Sequence, residues 1–291
     1  MKPLKIGTSY DVCFAPDGDR LVALGRNVAL WSVGARKKQW WSHPFAHPSS
    51  ATFAPDGATV VVKNTAGILV SLDASDAAVR FQSDEEGEGT KVLFSPSGDL
   101  LVDGSWKGRL TFRDARSGEV IATRQIPGML DELHAVPEAD SFITGHSGIT
   151  IPSPYHLRWT WEPGAEPIER LERVSGSSAF DRGATRVAIE DTRSDKTQVV
   201  AIHDRGTDTT PCEASLPLHP YVSAMRWSPD GTYLAVAQGD AAHLVDGATG
   251  AVAHTWDIPY ACSFDFNPDA TLLALGSWEA GLVVDLRDVL P

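Results

Sequence analysis

The chain has little cysteine, little cation and no long apolar run. Its 291 residues hold three cysteines, Cys13, Cys212 and Cys262, far apart and odd in number. Neither a disulfide framework nor a zinc-ligand spacing follows from that pattern. No stretch of about 18 consecutive apolar residues occurs, so no segment reads as a membrane-spanning helix. Lysine and arginine number 25 against 38 aspartates and glutamates, for a net charge of −13. Phosphate recognition needs clustered cation, so nucleic acid and anionic membrane surfaces are not expected partners. The opening MKPLKIGTSYDVC carries two lysines with no apolar stretch behind them, and no Asn-x-Ser/Thr acceptor occurs. Both features predict a chain without a secretory leader, and the sparse cysteine fits a reducing cytoplasm. The Gly-x-Ser-x-Gly elbow, the phosphate-binding Gly-Lys loop, the His-Glu-x-x-His zincin signature and the dinucleotide fingerprint are all missing.

What is present is a repeat. FAPDG occurs at 14–18 and 53–57, FSPSG at 94–98, WSPDG at 227–231 and FNPDA at 266–270. Weaker copies are AVPEA at 135–139 and FDRGA at 180–184. Taking Pro16, Pro55, Pro96, Pro137, Asp181, Pro229 and Pro268 as equivalent gives spacings of 39, 41, 41, 44, 48 and 39 residues. Each turn sits among short β-branched and aromatic runs, such as KVLF, DLLVDG, RLTFRD and VIATRQ in the third copy. These runs are too short for helices and show no helical stripe. Four strands per unit of about 40 to 45 residues is the pattern of a propeller blade. The expected fold is therefore an all-β, seven-bladed β-propeller of four-stranded antiparallel blades, one domain over residues 1–291. The seventh copy supplies three runs, and a spare run at Pro3–Ile6 precedes the first. That run is expected to be the outer strand of the last blade, so the two chain ends close the fold.

The register of the innermost strands assigns Phe14, Phe53, Phe94, Trp227 and Phe266 to the inter-blade core. Arg226 and Asp265 fall on the alternate register of neighbouring blades, where an ion pair is expected, since an unpaired charge would be costly. Trp40 and Trp41 are adjacent on an outer strand and must point to opposite faces.

The repeat resembles the WD-repeat family of β-propellers over the whole chain. LVDGSWKGRLTFRD, residues 101–114, follows that family's second and third strands closely. Asp73, Asp114, Asp204 and Asp246 fall where its terminal aspartate falls, and Trp31-Ser32 lies near its tryptophan position. Trp256-Asp257 and Gly145-His146 are displaced from the family positions, so its buried network of His, Ser/Thr, Asp and Trp is expected to be largely absent. The Pro-Asp-Gly turn also occurs in other propellers, lactonase-like and periplasmic ones included.

The resemblance implies a binding face made of the inter-blade loops and the turns between second and third strands. Mapped residue by residue, it holds Tyr10, His43, Phe45, His47, Asp131, His219, Tyr221 and Tyr260 in the loops. Asn27, Asn64, Trp106, Lys107, His146, Trp278 and Glu279 lie in the turns. Exposed aromatics on rigid loops suit protein or peptide capture. The function implied is a non-catalytic protein- or peptide-binding scaffold, monomeric by itself, without a cofactor. The alternative is a lactonase- or hydrolase-like enzyme in which His43, His219, Asp131 and Glu279 converge. His43 and His47 are interrupted by prolines and lack an adjacent third ligand, so no metal is expected. Asp84, Glu85, Glu86 and Glu88 read as a solvated charge run. The connection at 145–156 is the longest between second and third strands and is a candidate for specificity.

Overall fold

The computed structural model describes residues 2–83, 89–172, 177–193, 198–216 and 222–290. The chain is an all-β, seven-bladed propeller whose sheets are antiparallel. β1 (Leu4–Ser9) comes first, followed by the first sheet, β2 (Asp11–Phe14), β3 (Arg20–Leu24), β4 (Val28–Ser32) and β5 (Lys37–Ser42). The second is β6 (Pro48–Phe53), β7 (Thr59–Asn64), β8 (Leu69–Asp73) and β9 (Val79–Ser83). The third is β10 (Gly89–Phe94), β11 (Leu100–Ser105), β12 (Arg109–Asp114) and β13 (Val120–Gln125). The fourth is β14 (Met129–Val136), β15 (Ser141–Ser147), β16 (Tyr155–Thr160) and β17 (Glu169–Glu172). The fifth is β18 (Ser178–Phe180), β19 (Arg186–Thr192), β20 (Gln198–Asp204) and β21 (Thr209–Ser215). The sixth is β22 (Ala224–Trp227), β23 (Tyr233–Gln238), β24 (Ala241–Asp246) and β25 (Val252–Asp257). The last joins β26 (Ala261–Phe266) and β27 (Leu272–Asp285) to β1. The chain divides into two compact units, Ala15–Arg173 and Met1–Phe14 with Val174–Pro291.

Strand composition follows position in the blade. All six residues of β7, TVVVKN, are buried, while outer strand β13, VIATRQ, alternates between exposed and half-buried. A middle strand is covered on both faces and reads as a continuous apolar run; an outer strand faces water on one side. The repeated aromatics are core residues: Phe14, Phe53, Phe94, Trp227 and Phe266 are 5–9% exposed. In the unit 15–173, Val102, Phe112, Leu130, Phe142 and Trp159 form one cluster, with the Phe142 and Trp159 rings stacked. In the other unit, Leu244, Phe264, Phe266, Leu273 and Leu275 do the same between the last two sheets.

The repeated turn needs one left-handed residue, and Gly18, Gly57, Gly98 and Gly231 supply it with φ between 69° and 78°. Ala184 and Ala270 take that conformation without glycine. Hydrogen bonding also corrects the alignment of the fifth copy by one residue. Asp181 N–H bonds the Arg186 carbonyl as Ala54 N–H bonds that of Thr59. Asp181 therefore stands at the Ala54 position, and Arg182 takes the place of the proline.

β1 pairs antiparallel with β27, Leu4 opposite Val283, so the N-terminal strand completes the last sheet as expected. Residues 273–277 of β27 pair with β26, and 281–283 with β1. Leu286 N–H bonds the Thr271 carbonyl, so the two ends of β27 lie side by side. The segment doubles back, with Trp278 and Glu279 at its tip, and serves as two strands.

Candidate functional site

Within the unit 15–173, the third and fourth sheets build an apolar groove of about 710 Å3. Its first wall is the β11–β12 turn carrying Trp106 and Lys107. Gly108 lies at φ 76°, and a Cβ there would collide with the Ile126 and Gly128 carbonyls. The turn thus packs directly on the segment leading to β14, fastened by Ile126 N–H to Gly108 O and by Gln125 Nε2 to Lys107 O. The floor is Ile126, Pro127 and Met129, and the second wall is Ile149 in the long β15–β16 connection. Tyr155 Oη anchors the floor by donating to the Pro127 carbonyl at 2.6 Å. Trp106 is 43% exposed and Ile149 wholly exposed. Trp106 on its fastened turn, with Ile149 projecting at the opposite margin, can desolvate an apolar segment; Lys107 adds one cation at the rim.

In the other unit, Trp278 is 60% and Tyr260 59% exposed. The Tyr10 ring lies 4.6 Å from that of Trp278, and Trp278 N–H bonds the Tyr260 carbonyl. Tyr10, Tyr260 and Trp278 are therefore brought together, with Glu279 exposed beside them.

The remaining candidates are dispersed. His43 is exposed and its Nδ1 lies 3.1 Å from the Arg26 carbonyl. His47 is exposed with φ 55°. Asp131 accepts from the Ser147 hydroxyl at 2.5 Å. His219 and Tyr221, and the acidic run Asp84, Glu85, Glu86 and Glu88, lie outside the described residues. Three assignments to an exposed face are corrected. Phe45 is buried, because the loop turns its apolar ring inward. Asn64 is buried and ties its own turn, donating to Ala46 O and accepting from Ala66 and Ile68 N–H. His146 is fully buried and stacked on Tyr155. Trp159 Nε1 donates to Thr144 Oγ1 at 2.9 Å, which lies 2.7 Å from His146 Nε2. A His–Thr–Trp network of the kind expected to be absent thus occurs in the fourth sheet.

The expected ion pair is present: Arg226 Nη2 donates to Asp265 Oδ1 at 3.0 Å, and Asp265 Oδ2 accepts from Phe14 N–H at 2.7 Å. Nearby, burial pushes the Cys262 thiol up to about 12. Trp40 donates from Nε1 to the Ala74 carbonyl while Trp41 is 63% exposed, so the pair does split between faces.

Two clusters carry no sequence motif. Lys63 and Arg113, each 1% exposed, flank the buried Asp103, with Lys63 Nζ bonding Asp103 Oδ1 and the Gly104 carbonyl. Glu132 Oε2 lies 3.2 Å from His134 Nε2 and 3.1 Å from His156 Nε2. These three residues are brought together by sheet register, and only the strand positions of 132 and 134 could have hinted at it. No three His, Cys, Asp or Glu side chains among the described residues are placed to hold a metal ion.

Among known proteins, the family described as "Outer membrane protein assembly factor BamB" matches residues 4–139, and the family "WD domain, G-beta repeat" matches residues 210–242. No curated protein matches the chain. A structure titled Kuenenia stuttgartiensis Hydrazine Synthase is similar over 95% of both chains, with TM-score 0.79 and 12% identity. No helix among the described residues is long and apolar enough to cross a membrane. The reading as a WD-type scaffold presenting a loop-rich face is corrected by these comparisons, because the longer family match is to a BamB-type propeller. With both family matches and seven antiparallel sheets, the chain is a WD-repeat-like β-propeller.

Proposed function

We propose that the chain is an accessory propeller of the BamB type, a component of a protein assembly that carries out no reaction of its own. Its working part is the groove between Trp106 and Ile149, which receives a short apolar segment of another protein of the assembly. The observation that carries this reading is the groove itself: about 710 Å3, apolar, and bordered by the exposed side chains of Trp106, on a glycine-fastened turn, and Ile149. The family name supports it, since a BamB-type factor serves assembly. The titratable candidates add support, because His43 and Asp131 bond to a carbonyl and a serine hydroxyl. Cys13, Cys212 and Cys262 form no disulfide, which supports a cytoplasmic location; the BamB match sets the cell envelope as the competing compartment, and fractionation decides between them.

The test compares the tagged intact chain with a Trp106→Ala/Ile149→Ser variant of matched Tm, co-purified from the source cells. A stoichiometric protein retained by the intact chain and lost from the variant supports the reading. The same protein retained by both removes the groove from it.

A further inference from the structure

A second site follows from comparing the repeats with one another, at the far end of β11 from the groove. Residues 97–99 precede that strand, and Trp106 follows it. Arg20 opens β3, its guanidinium carbon 5.9 Å from the Phe53 ring centre, with Nε donating to Asp17 Oδ2 at 2.5 Å. Its Nη2 occupies the space beside Gly57, where a Cβ would stand 2.6 Å away. Arg186 opens β19 in the other unit and repeats the arrangement. It lies 4.4 Å over the Trp227 ring, with Nη2 donating to Gly231 O at 2.7 Å and Nη1 to Gly247 O at 3.3 Å. Nε of Arg186 is 3.3 Å from Asp181 Oδ2. By repeat position, Trp227 is the counterpart of Phe53, and Gly231 of Gly57. In both places an arginine from one blade lies on the aromatic ring and glycine turn of the next.

Between the second and third sheets the receiving parts are present and the arginine is not. Phe94 and Gly98 stand where Phe53 and Gly57 stand. Asp56 caps its turn through Ala58 N–H at 2.9 Å, as Asp17 caps Asp19 N–H at 2.9 Å. Ala115 N–H bonds Asp99 O, as Gly247 N–H bonds Thr232 O. The residue that opens β7, however, is Thr59, whose short side chain carries no guanidinium. A cavity of about 400 Å3 opens there, lined by Asp56, Thr59, Phe94, Gly98 and Ala115. Arg80 and Arg116 also reach its rim, against Asp56 and Asp99, so the rim charges balance. Arg80 is held by Asp73, its Nη2 2.7 Å from Asp73 Oδ2. Recognition therefore rests on the Phe94 face and on the backbone carbonyls of Gly98 and Ala115, the counterparts by repeat position of Gly231 and Gly247, which suit a planar five-donor cation better than a compact ammonium.

We propose that this cavity is a receptor for a guanidinium supplied from outside, the arginine side chain of a partner protein. The net charge of −13 favours approach of a basic segment. This inference does not depend on the Trp106 groove, which lies at the opposite end of the strand.

The test is an NMR titration of the full chain with acetyl-Gly-Arg-Gly-amide, its lysine counterpart and free L-arginine. Saturable shifts at Phe94 and Gly98 with the arginine peptide, and binding at least fivefold weaker with the lysine peptide, are expected. Free arginine is expected to bind at least tenfold more weakly than the peptide; equal binding overturns a protein-borne source. Thr59→Arg should fill the cavity from within, raise Tm and weaken the peptide at least tenfold. Phe94→Leu removes the ring in a milder variant and should weaken it severalfold, whereas Thr59→Val should not. Absence of shifts at Phe94, equal binding of the two peptides, or unchanged binding in Thr59→Arg overturns the proposal.

Discussion

Glu132 and His156 meet at 3.1 Å across a strand whose intervening residue is Gly145. Register sets this up: Glu132 is opposite Gly145, and Gly145 opposite His156. The three positions share a face, and the missing side chain in the middle leaves the carboxylate room to reach the imidazole. A Cβ on Gly145 would stand 2.8 Å from Glu132 Cβ and 2.9 Å from its Oε2. Gly145→Ala should therefore displace the carboxylate and break its contact with the buried His156. Overpacking and a lost buried hydrogen bond together should cost about 2–5 kcal/mol. Denaturant unfolding checks this; a change below about 0.5 kcal/mol would mean that the slot is not needed.

Removal of residues 2–9 should leave residues 281–283 of β27 without their partner strand and expose the face that Leu4 and Ile6 cover, both under 9% exposed. Burial of two such side chains is worth about 1.5–3 kcal/mol each, and the ladder bonds add to it. The truncated chain should melt about 10 °C or more below the intact one, at about 2–4 °C per kcal/mol. An unchanged Tm contradicts closure by the N-terminal strand.

Acid should unfold the protein through its turn aspartates. Hydrogen bonds hold these carboxyls below the ordinary carboxylate range: at Asp73 from the Ser75 hydroxyl, at Asp114 from the Ser117 N–H, at Asp204 from the Thr207 N–H and at Asp246 from the Thr249 hydroxyl. A folded-state pKa below the unfolded value of about 3.9 gives stability that is complete above that pH and lost as pH falls through the folded value. The aspartate contribution to Tm should therefore be constant from about pH 7 to 5 and decline below about 4. Asp114→Asn/Asp246→Asn should melt lower than the intact chain at pH 7, and the gap should narrow progressively as pH falls below about 4. Parallel curves across that range contradict the assignment.

The fold was legible because the repeated turn has a strict local demand. A left-handed residue between two apolar runs shows as Gly18, Gly57, Gly98 and Gly231, and the spacing of those turns is the blade. Where the demand was met without glycine, at Ala184, the alignment slipped by a residue. The site was less legible, because exposure is a property of the packed loop. Phe45 and His146 had the same loop credentials as Trp106, yet both face inward. Ile149 lies 43 positions beyond Trp106 and joins it only when the third and fourth sheets stand side by side. The empty slot beside Thr59 is visible only against the filled ones at Arg20 and Arg186.

The most direct test of the assembly role is site-specific photocrosslinking in the source cells. A benzophenone side chain replaces Ile149 at the groove or, as a control, Val79 on outer strand β9, which is also exposed. The account predicts one discrete heavier species from position 149, absent from position 79 and abolished by Trp106→Ala. The same species from both positions, or one that persists in Trp106→Ala, would contradict it.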